Sequence, residues 1–381
     1  KTSIEQFKLT FKNTIEQHTI ADKSPAVLLS GGLDSFLVSN QLNKNFKNLK
    51  SFSIGFDNST YDETQLIKKI DLNFEKNIFM AKKTDYINVF EKISKLIDEP
   101  LGDSSLLPSY MVFDKIKKST NVAIGGDGGD ENFFGYITFD AYYLSLKLKK
   151  IIPKAIFNLV SKFTKFLPNS KNYMSFNFKI KKFFSGINFD KKYLNTMWIS
   201  SMTAEELKDY FQQDLDLNKI LPEINELFSK KLSDMKLCQL YYFKFYLPMV
   251  LSKIDKASMF NSVESRSPFL GKNVINFSLD VDSKQNYKFL KNKNLFKKIF
   301  SKEIPSIVKK KKKHGFALPL SEFINMEKSI EKFIEKKYLY NESFFQKKLN
   351  LARKGDIDSQ KYIWNELILN VSIQNIYSKQ L

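Results

Sequence analysis

AVLLSGGLDSFLVSNQL, residues 26–42, decides the fold. A short apolar run, a turn with two adjacent glycines between serines, and a second apolar segment read as strand (26–29), turn (30–35) and helix (36–42). Such a turn suits an anion, because uncrowded backbone N–H groups and the helix N-terminus point at the same place. Asp34 stands inside it. A carboxylate repels a phosphate, so either the turn holds no phosphate or something positive stands between the two.

The same alternation continues outward. Ile4, Phe7, Phe11, Ile15 and His18 share one face of a predicted opening helix. SFSIGF (51–56), FEKNIFM (74–80) and NVAI (121–124) read as further strands. Between them lie predicted helices opened by Asp62 and Glu63, capped at Thr84 or Asp85, and running from about Ser109 to Lys118. Strands alternating with helices predict an α/β fold with a doubly wound parallel sheet, in which ligands bind beyond the carboxyl ends of the strands. The turn SGGLDS and the loop GGDGGDE (125–131) both leave that edge. Beyond about residue 140 the alternation stops. The sequence predicts two parts: an α/β core over 1–140 and a mostly helical region over 141–381 that returns residues to the site.

No apolar run approaches the roughly 18 residues of a membrane span, and AVLL and AIFNLV are among the longest. No transmembrane segment or signal pattern is expected, and a lone Cys238 suits a cytoplasmic location. The chain opens on Lys1 rather than methionine, which reads as a fragment or a processed product. The formal charge of +20 would attract nucleic acid or an anionic membrane. Its source is lysine spread among many Asn, Ile and Phe, which reads as AT-rich coding, so a nucleic-acid partner is not expected. The basic, aromatic stretch from Tyr142 to Phe184 describes a surface helix with snorkelling lysines as well as it describes a segment lying on a membrane.

GGDGGDE sharpens the question that Asp34 poses. The lysine and spacing of the Walker loop are absent, as is the GxGxxG dinucleotide fingerprint. Asp127, Asp130 and Glu131, set among four glycines on the same sheet edge as Asp34, repel one another unless cations enter. Magnesium is bound by one or two carboxylates together with phosphate oxygens, which would let Asp34 hold a metal and the metal hold phosphates. The alternatives are an acidic surface turn or a calcium loop, and the spacing does not match an EF-hand.

SGGLDS, SIGF (53–56), YDE (61–63), EPLGDSSLLPSY (99–110), GGDGGDENFFGY (125–136), LPMVLSKIDKASM (247–259), ESRSPFL (264–270) and KHGFALPL (313–320) follow one another along nearly the whole chain. In order and spacing the series resembles the synthetase domain of glutamine-hydrolysing asparagine synthetases. SGGLDS alone indicates only an ATP pyrophosphatase of the PP-loop type, with an adenine nucleotide alpha hydrolase-like core. The resemblance implies an enzyme using ATP and Mg2+. A carboxylate, aspartate first among them, would be adenylated with release of pyrophosphate, and ammonia would then attack the acyl-adenylate. By position, Ser30, Gly31, Gly32 and Ser35 would cradle pyrophosphate, and Asp34 and Asp130 would hold magnesium. Leu29, Ile54, Gly125 and Gly126 line up with nucleotide contacts. Lys313 matches a lysine set against the α-phosphate, and Asp127 an acidic residue near the ammonia or the intermediate.

Several of these residues have a plainer reading beside that one. Lys313 ends a run of five lysines, ordinarily a solvated segment. Glu264 and Arg266 are either substrate-side residues or a structural salt bridge, Cys238 reads as core, and His18 and His314 are too few and too far apart for zinc. Family members carry a glutaminase domain that has no counterpart here, so ammonia from solution, or from a partner or separate glutaminase domain, is expected. Gly125 stands where the family usually has serine, Ile137-Thr138 where arginine commonly follows the tyrosine, and Ser267 where valine is common. These departures touch the acceptor side, and relatives of this architecture amidate sugar acids in surface-polysaccharide assembly or close a β-lactam ring. A tRNA-modifying PP-loop enzyme is the remaining rival, but the chain has no CxxC and no recognisable RNA-binding module.

Overall fold

A computed structural model describes residues 4–46, 48–57, 61–168, 174–310, 318–326 and 330–378. Helix α1 spans Ile4–Gln17 and buries Phe7, Phe11 and Ile15, while Ile4 at its exposed start is about half accessible. Strand β1 (Ala26–Leu28) leads through the glycine turn into α2 (Leu33–Asn45). Then follow β2 (Lys50–Phe56), α3 (Thr64–Lys69), β3 (Glu75–Ala81), α4 (Lys83–Ser94), α5 (Leu106–Ile116) and β4 (Val122–Ile124). The strands predicted from apolar runs are all present. Buried on both faces, β4 is a continuous apolar run, whereas β2 alternates Ser51 and Ser53 with Phe52 and Ile54 and buries all four.

All strand pairs are parallel and the order is β3-β2-β1-β4-β5, where β5 is Glu264–Arg266. From β1 the chain steps outward to β2 and β3, then crosses back to place β4 on the other side of β1. The reversal puts the topological switch point between β1 and β4, where ligand crevices form in such sheets. Val27 is in register with Ser51 on one side and with Ile124 on the other, so the loops after β1 and β4 leave side by side.

Strand β5 is an element that the sequence pattern does not announce. It is three residues long, polar, and sits where only helices are expected beyond residue 140. It forms because β4 offers a free edge: Glu264 N donates to Asn121 O (2.7 Å) and Gly125 N to Arg266 O (2.9 Å). No hydrophobic run is needed when the partner strand supplies the hydrogen bonds.

The chain divides into two compact units that are not consecutive in sequence. One holds Lys1–Val89, Ser105–Tyr136 and Tyr242–Leu318, and so takes in a stretch that the sequence alone groups with the helical region. Its core joins Phe7, Phe11, Val27, Leu29, Phe36 and Ile124 to Phe269, Phe296 and Phe300. The other holds Phe90–Ser104, Ile137–Tyr241 and Pro319–Leu381. It is helical, with α6 (Gly129–Phe133) of the first unit followed by α7 (Ile137–Leu148), α8 (Lys154–Thr164) and α9 (Phe176–Gly186). Trp364 is fully buried there beside Phe90 and Phe323, and its indole N–H donates to Leu101 O (3.3 Å). Among the described residues no helix is long and apolar enough to cross a membrane.

Candidate active site at the carboxyl edge of the sheet

The turn after β1 is built by its own side chains. Gly31 has φ +67°, the left-handed region that glycine enters without steric cost. Ser35 Oγ donates to Gly32 O (3.1 Å), accepts from Ser30 N (3.2 Å) and shares a hydrogen bond with Ser30 Oγ (3.1 Å), so the two serines close the loop. Leu29 is buried and tied to β2 through Phe52 O (3.1 Å) and the Ser53 hydroxyl (2.5 Å). Ile54 is buried at the same end of β2. Gly32 caps α2 without a side-chain hydrogen bond, which leaves backbone donors at the helix start.

The loop after β4 needs glycine where the first loop lies against it. A Cβ on Gly126 would stand 2.8 Å from Ser35 N and 3.0 Å from Asp34 Cβ, and one on Gly129 would stand 2.6 Å from Asp34 Cγ. Real Cβ atoms do not approach so closely, so neither position admits a side chain while the loops touch. On Gly125 a Cβ would meet Asp127 Oδ2 at 3.1 Å and Leu28 Cδ1 at 3.3 Å. Gly126 and Gly129 thus let the loop carrying Asp130 lie against Asp34, while Gly128 has φ +86° and lies against Leu270.

Between those two carboxylates lies a lysine that the sequence does not single out. Lys293 Nζ is 2.7 Å from Asp130 Oδ1 and also forms an ion pair with Asp34 Oδ2. The whole residue is 4% exposed, and its backbone has φ +53°, a strained setting for a residue with a Cβ. It caps the short helix Asn294–Ile299. Lys297, on that helix, donates to Asn292 Oδ1 (2.8 Å). Burial and then the neighbouring Lys293 push its ammonium below the usual lysine range, and Asp34 pulls it partly back. Two cations and two carboxylates therefore meet where the loops leave the sheet.

The residues fit a divalent ion. Asp34 Oδ1 is buried and, among the described residues, meets no hydrogen-bond donor. A buried carboxylate oxygen without a partner costs free energy unless a cation or water reaches it. Magnesium takes few protein ligands and completes its shell with water and phosphate oxygens, so two aspartates suffice. Among the described residues no group of three or more His, Cys, Asp or Glu side chains is arranged to hold a metal ion.

The third carboxylate of the acidic loop turns away. Glu131 is 1% exposed and accepts a hydrogen bond from Tyr136 OH (2.7 Å). Burial pushes its carboxyl above the usual range; the Tyr136 hydrogen bond pulls part of the way back, and Asp127 adds to the push. Burial, then the charge of Glu131, raises the Tyr136 phenol well above its ordinary value. Tyr136 stacks on Tyr242 (5.2 Å between ring centres) and meets Tyr246 edge-on (5.3 Å). Both rings come from a π-helical turn, Tyr242–Tyr246, a geometry that recurs at functional sites.

Other sequence candidates lie elsewhere. Arg266 donates to Glu264 Oε1 (2.8 Å) and Oε2 (3.1 Å), and also to His18 O (2.9 Å) and Ile20 O (2.7 Å). Those carbonyls follow α1, so the guanidinium ties β5 to the chain that leads into β1. Cys238 is fully buried and accepts from Asn195 Nδ2 (3.2 Å), and burial pushes its thiol up. Lys313 and His314 lie outside the described residues. Lys293 and Lys297 escape a sequence reading for one reason: a lysine among 61 basic residues carries no mark of its partner.

Comparison with known proteins adds an independent line. The family model described as Asparagine synthase matches residues 6–374. Over 329 residues the chain is 25% identical to asparagine synthetase (glutamine-hydrolyzing) 1 of Bacillus subtilis (strain 168), covering 85% of this chain and 51% of that protein. Two further relatives carry names beginning "Putative asparagine synthetase (glutamine-hydrolyzing)". One, from Methanocaldococcus jannaschii, is 36% identical over 142 residues, covering 36% of this chain and 27% of the relative. The other, from Mycobacterium bovis, is 21% identical over 373 residues, covering 96% and 56%. The chain spans about half the length of the Bacillus and Mycobacterium relatives. With a parallel α/β sheet, two facing loops at its switch point and a family match from one end to the other, the chain belongs to the asparagine synthase family.

Proposed function

We propose that this chain catalyses ATP-dependent amidation of a carboxylate, with aspartate as the acceptor and asparagine as the product. The acceptor carboxylate attacks the α-phosphorus of ATP and pyrophosphate leaves. Ammonia then attacks the acyl carbon, AMP leaves, and the nitrogen sheds a proton. The observation that carries this reading is the meeting of Asp34 and Asp130 around one cation at the carboxyl edge, directly beside the serine and glycine turn.

In this reading Ser30, Gly31, Gly32 and Ser35 receive the departing diphosphate on backbone and hydroxyl donors at the start of α2. Leu29, Ile54, Gly125 and Gly126 border the nucleotide. Asp34 and Asp130 would hold magnesium, which when bound neutralises charge on the diphosphate. Lys293 and Lys297 add fixed positive charge beside the same oxygens, and Lys293 keeps the two aspartates together without nucleotide. Asp127 lies near the reacting acyl group, and Lys313 is assigned to the α-phosphate on the family resemblance.

A second acceptor class, such as a sugar acid, is the alternative, resting on the departures from the family pattern at Gly125, Ile137-Thr138 and Ser267. Pyrophosphate exchange into ATP, measured first with aspartate and then with uronic acids, tests both. Exchange with aspartate supports asparagine synthesis, exchange with a uronic acid alone moves the acceptor, and exchange with neither refutes the adenylation chemistry.

A further inference from the structure

Helix α8 and its flanks present an apolar surface that nothing in the described structure covers. Ile156, Leu159 and Phe163 recur three and four positions apart on one side of the helix and are 48%, 56% and 66% exposed. Ile151 before it is 79% exposed and Phe166 after it 85%. The adjoining side, Phe157 and Thr164, is buried, and α8 packs on α9. A surface helix normally turns its apolar stripe inward and its polar side out. Here Phe157 is buried while Ile156, Leu159 and Phe163 face water. Single exposed apolar residues are ordinary, but five large ones along one short helix and its ends mark an interaction surface.

Charge identifies what the surface meets. Between residues 141 and 189 the chain has ten lysines and not one aspartate or glutamate. Lys182 is buried against Asp358, Lys149 donates to Phe189 O, and Lys165 pairs with Glu205. Lys150 and Lys162 are exposed next to the apolar stripe, and Lys154 is exposed on the other side of the helix start. Apolar and aromatic side chains with a lysine rim are the composition of helices that lie in a bilayer interface, and each lysine near an anionic surface adds to the attraction. A second copy of this chain would bring the same basic rim against itself, which disfavours a symmetric dimer through this face. None of these residues belongs to the loops after β1 and β4.

We propose that the exposed face of α8, from Ile151 to Phe166, is a membrane-surface site that takes up anionic phospholipid, with Ile156, Leu159, Phe163 and Phe166 entering the headgroup boundary and Lys150 and Lys162 meeting lipid phosphates. The chain lies on the bilayer and does not span it.

The test is co-flotation of the 381-residue chain with vesicles of phosphatidylcholine containing phosphatidylglycerol, against vesicles of phosphatidylcholine alone. The chain floats with the anionic vesicles, and less so as salt rises. Leu159→Ser with Phe163→Ser lowers partitioning about tenfold or more, and Lys150→Glu with Lys162→Glu removes the preference for anionic lipid. Both double variants keep the wild-type melting temperature within a few degrees and keep wild-type ATP turnover in solution, since they touch neither core nor acidic loops. As an independent readout, emission of a Phe166→Trp variant shifts to the blue on anionic vesicles and not on neutral ones. Failure of the wild type to float, or flotation that all variants share, overturns the proposal. So does light scattering that finds a dimer broken by Leu159→Ser with Phe163→Ser, which would make a second copy the occupant. Binding of soluble polyglutamate that needs Leu159 and Phe163, without vesicle binding, would instead indicate an acidic protein partner and equally refute it.

Discussion

Lys293 Nζ lies 2.7 Å from Asp130 Oδ1, on a side chain almost wholly enclosed, and the same ammonium is paired with Asp34. Two carboxylates from loops nearly a hundred residues apart are held by one internal cation. Removing one partner of a buried ion pair typically costs about 3–5 kcal/mol, because the remaining charges lose their compensation. Lys293→Met should therefore melt well below the wild type in chelator. Magnesium should restore much of the loss, since an ion that binds only the folded state adds stability by mass action. Thermal unfolding with and without Mg2+ checks this, and equal magnesium shifts in variant and wild type would count against shared occupancy of the site.

Asp34→Asn keeps the shape of the side chain and removes its charge. ATP-to-AMP turnover should fall by about a hundredfold or more, the scale seen when a preorganised charge is taken from a reacting phosphate or oxyanion. Circular dichroism should be unchanged, because the variant leaves the core untouched. Persistent turnover would show that Asp34 does not serve the diphosphate.

Glu131 supplies a prediction in pH. Its folded carboxyl titrates above its ordinary value of 4.5, chiefly through burial. The folded state thus holds the proton more tightly than the unfolded chain does. The stabilisation is complete below 4.5 and is lost as pH rises through the raised folded value. Glu131→Gln cannot lose that proton, so the melting temperature of the wild type relative to this variant should decline as pH climbs above 4.5. A difference that grows with pH would mean that Glu131 is charged in the folded protein.

Arg266 separates structure from substrate contact. Its hydrogen bonds reach Glu264 and the carbonyls of His18 and Ile20. Arg266→Met should cost about 1–3 kcal/mol, the scale for stranding such acceptors, and lower the melting temperature. The KM for the acceptor should stay near the wild-type value. A KM raised tenfold with unchanged stability would return Arg266 to the substrate side.

Much of the sheet is legible in the sequence because its signals are local. AVLL and NVAI are short apolar stretches closed by serine or glycine, SFSIGF alternates small and large residues, and each forms a strand close to where the pattern puts it. Strand β5 has no such run. Its three residues are a strand only because β4 presents an unpaired edge, information held some 140 positions earlier in the chain. Gly126 and Gly129 are visible as glycines, but their reason, the close approach of Asp34 and Ser35, is visible only in three dimensions.

The amino-acid order alone determined an α/β sheet with an anion-suited turn and an acidic, glycine-rich loop on one edge, because strand, turn and helix preferences act over a few residues. It also posed the puzzle of a carboxylate inside a phosphate-like turn. Tertiary structure decided the rest: that the two loops flank the switch point, that Glu131 turns inward while Asp34 and Asp130 face each other, and that Lys293 is the cation between them. Charge pairing across a fold depends on distance in space, and nothing in the local pattern of a lysine-rich chain encodes which lysine arrives there.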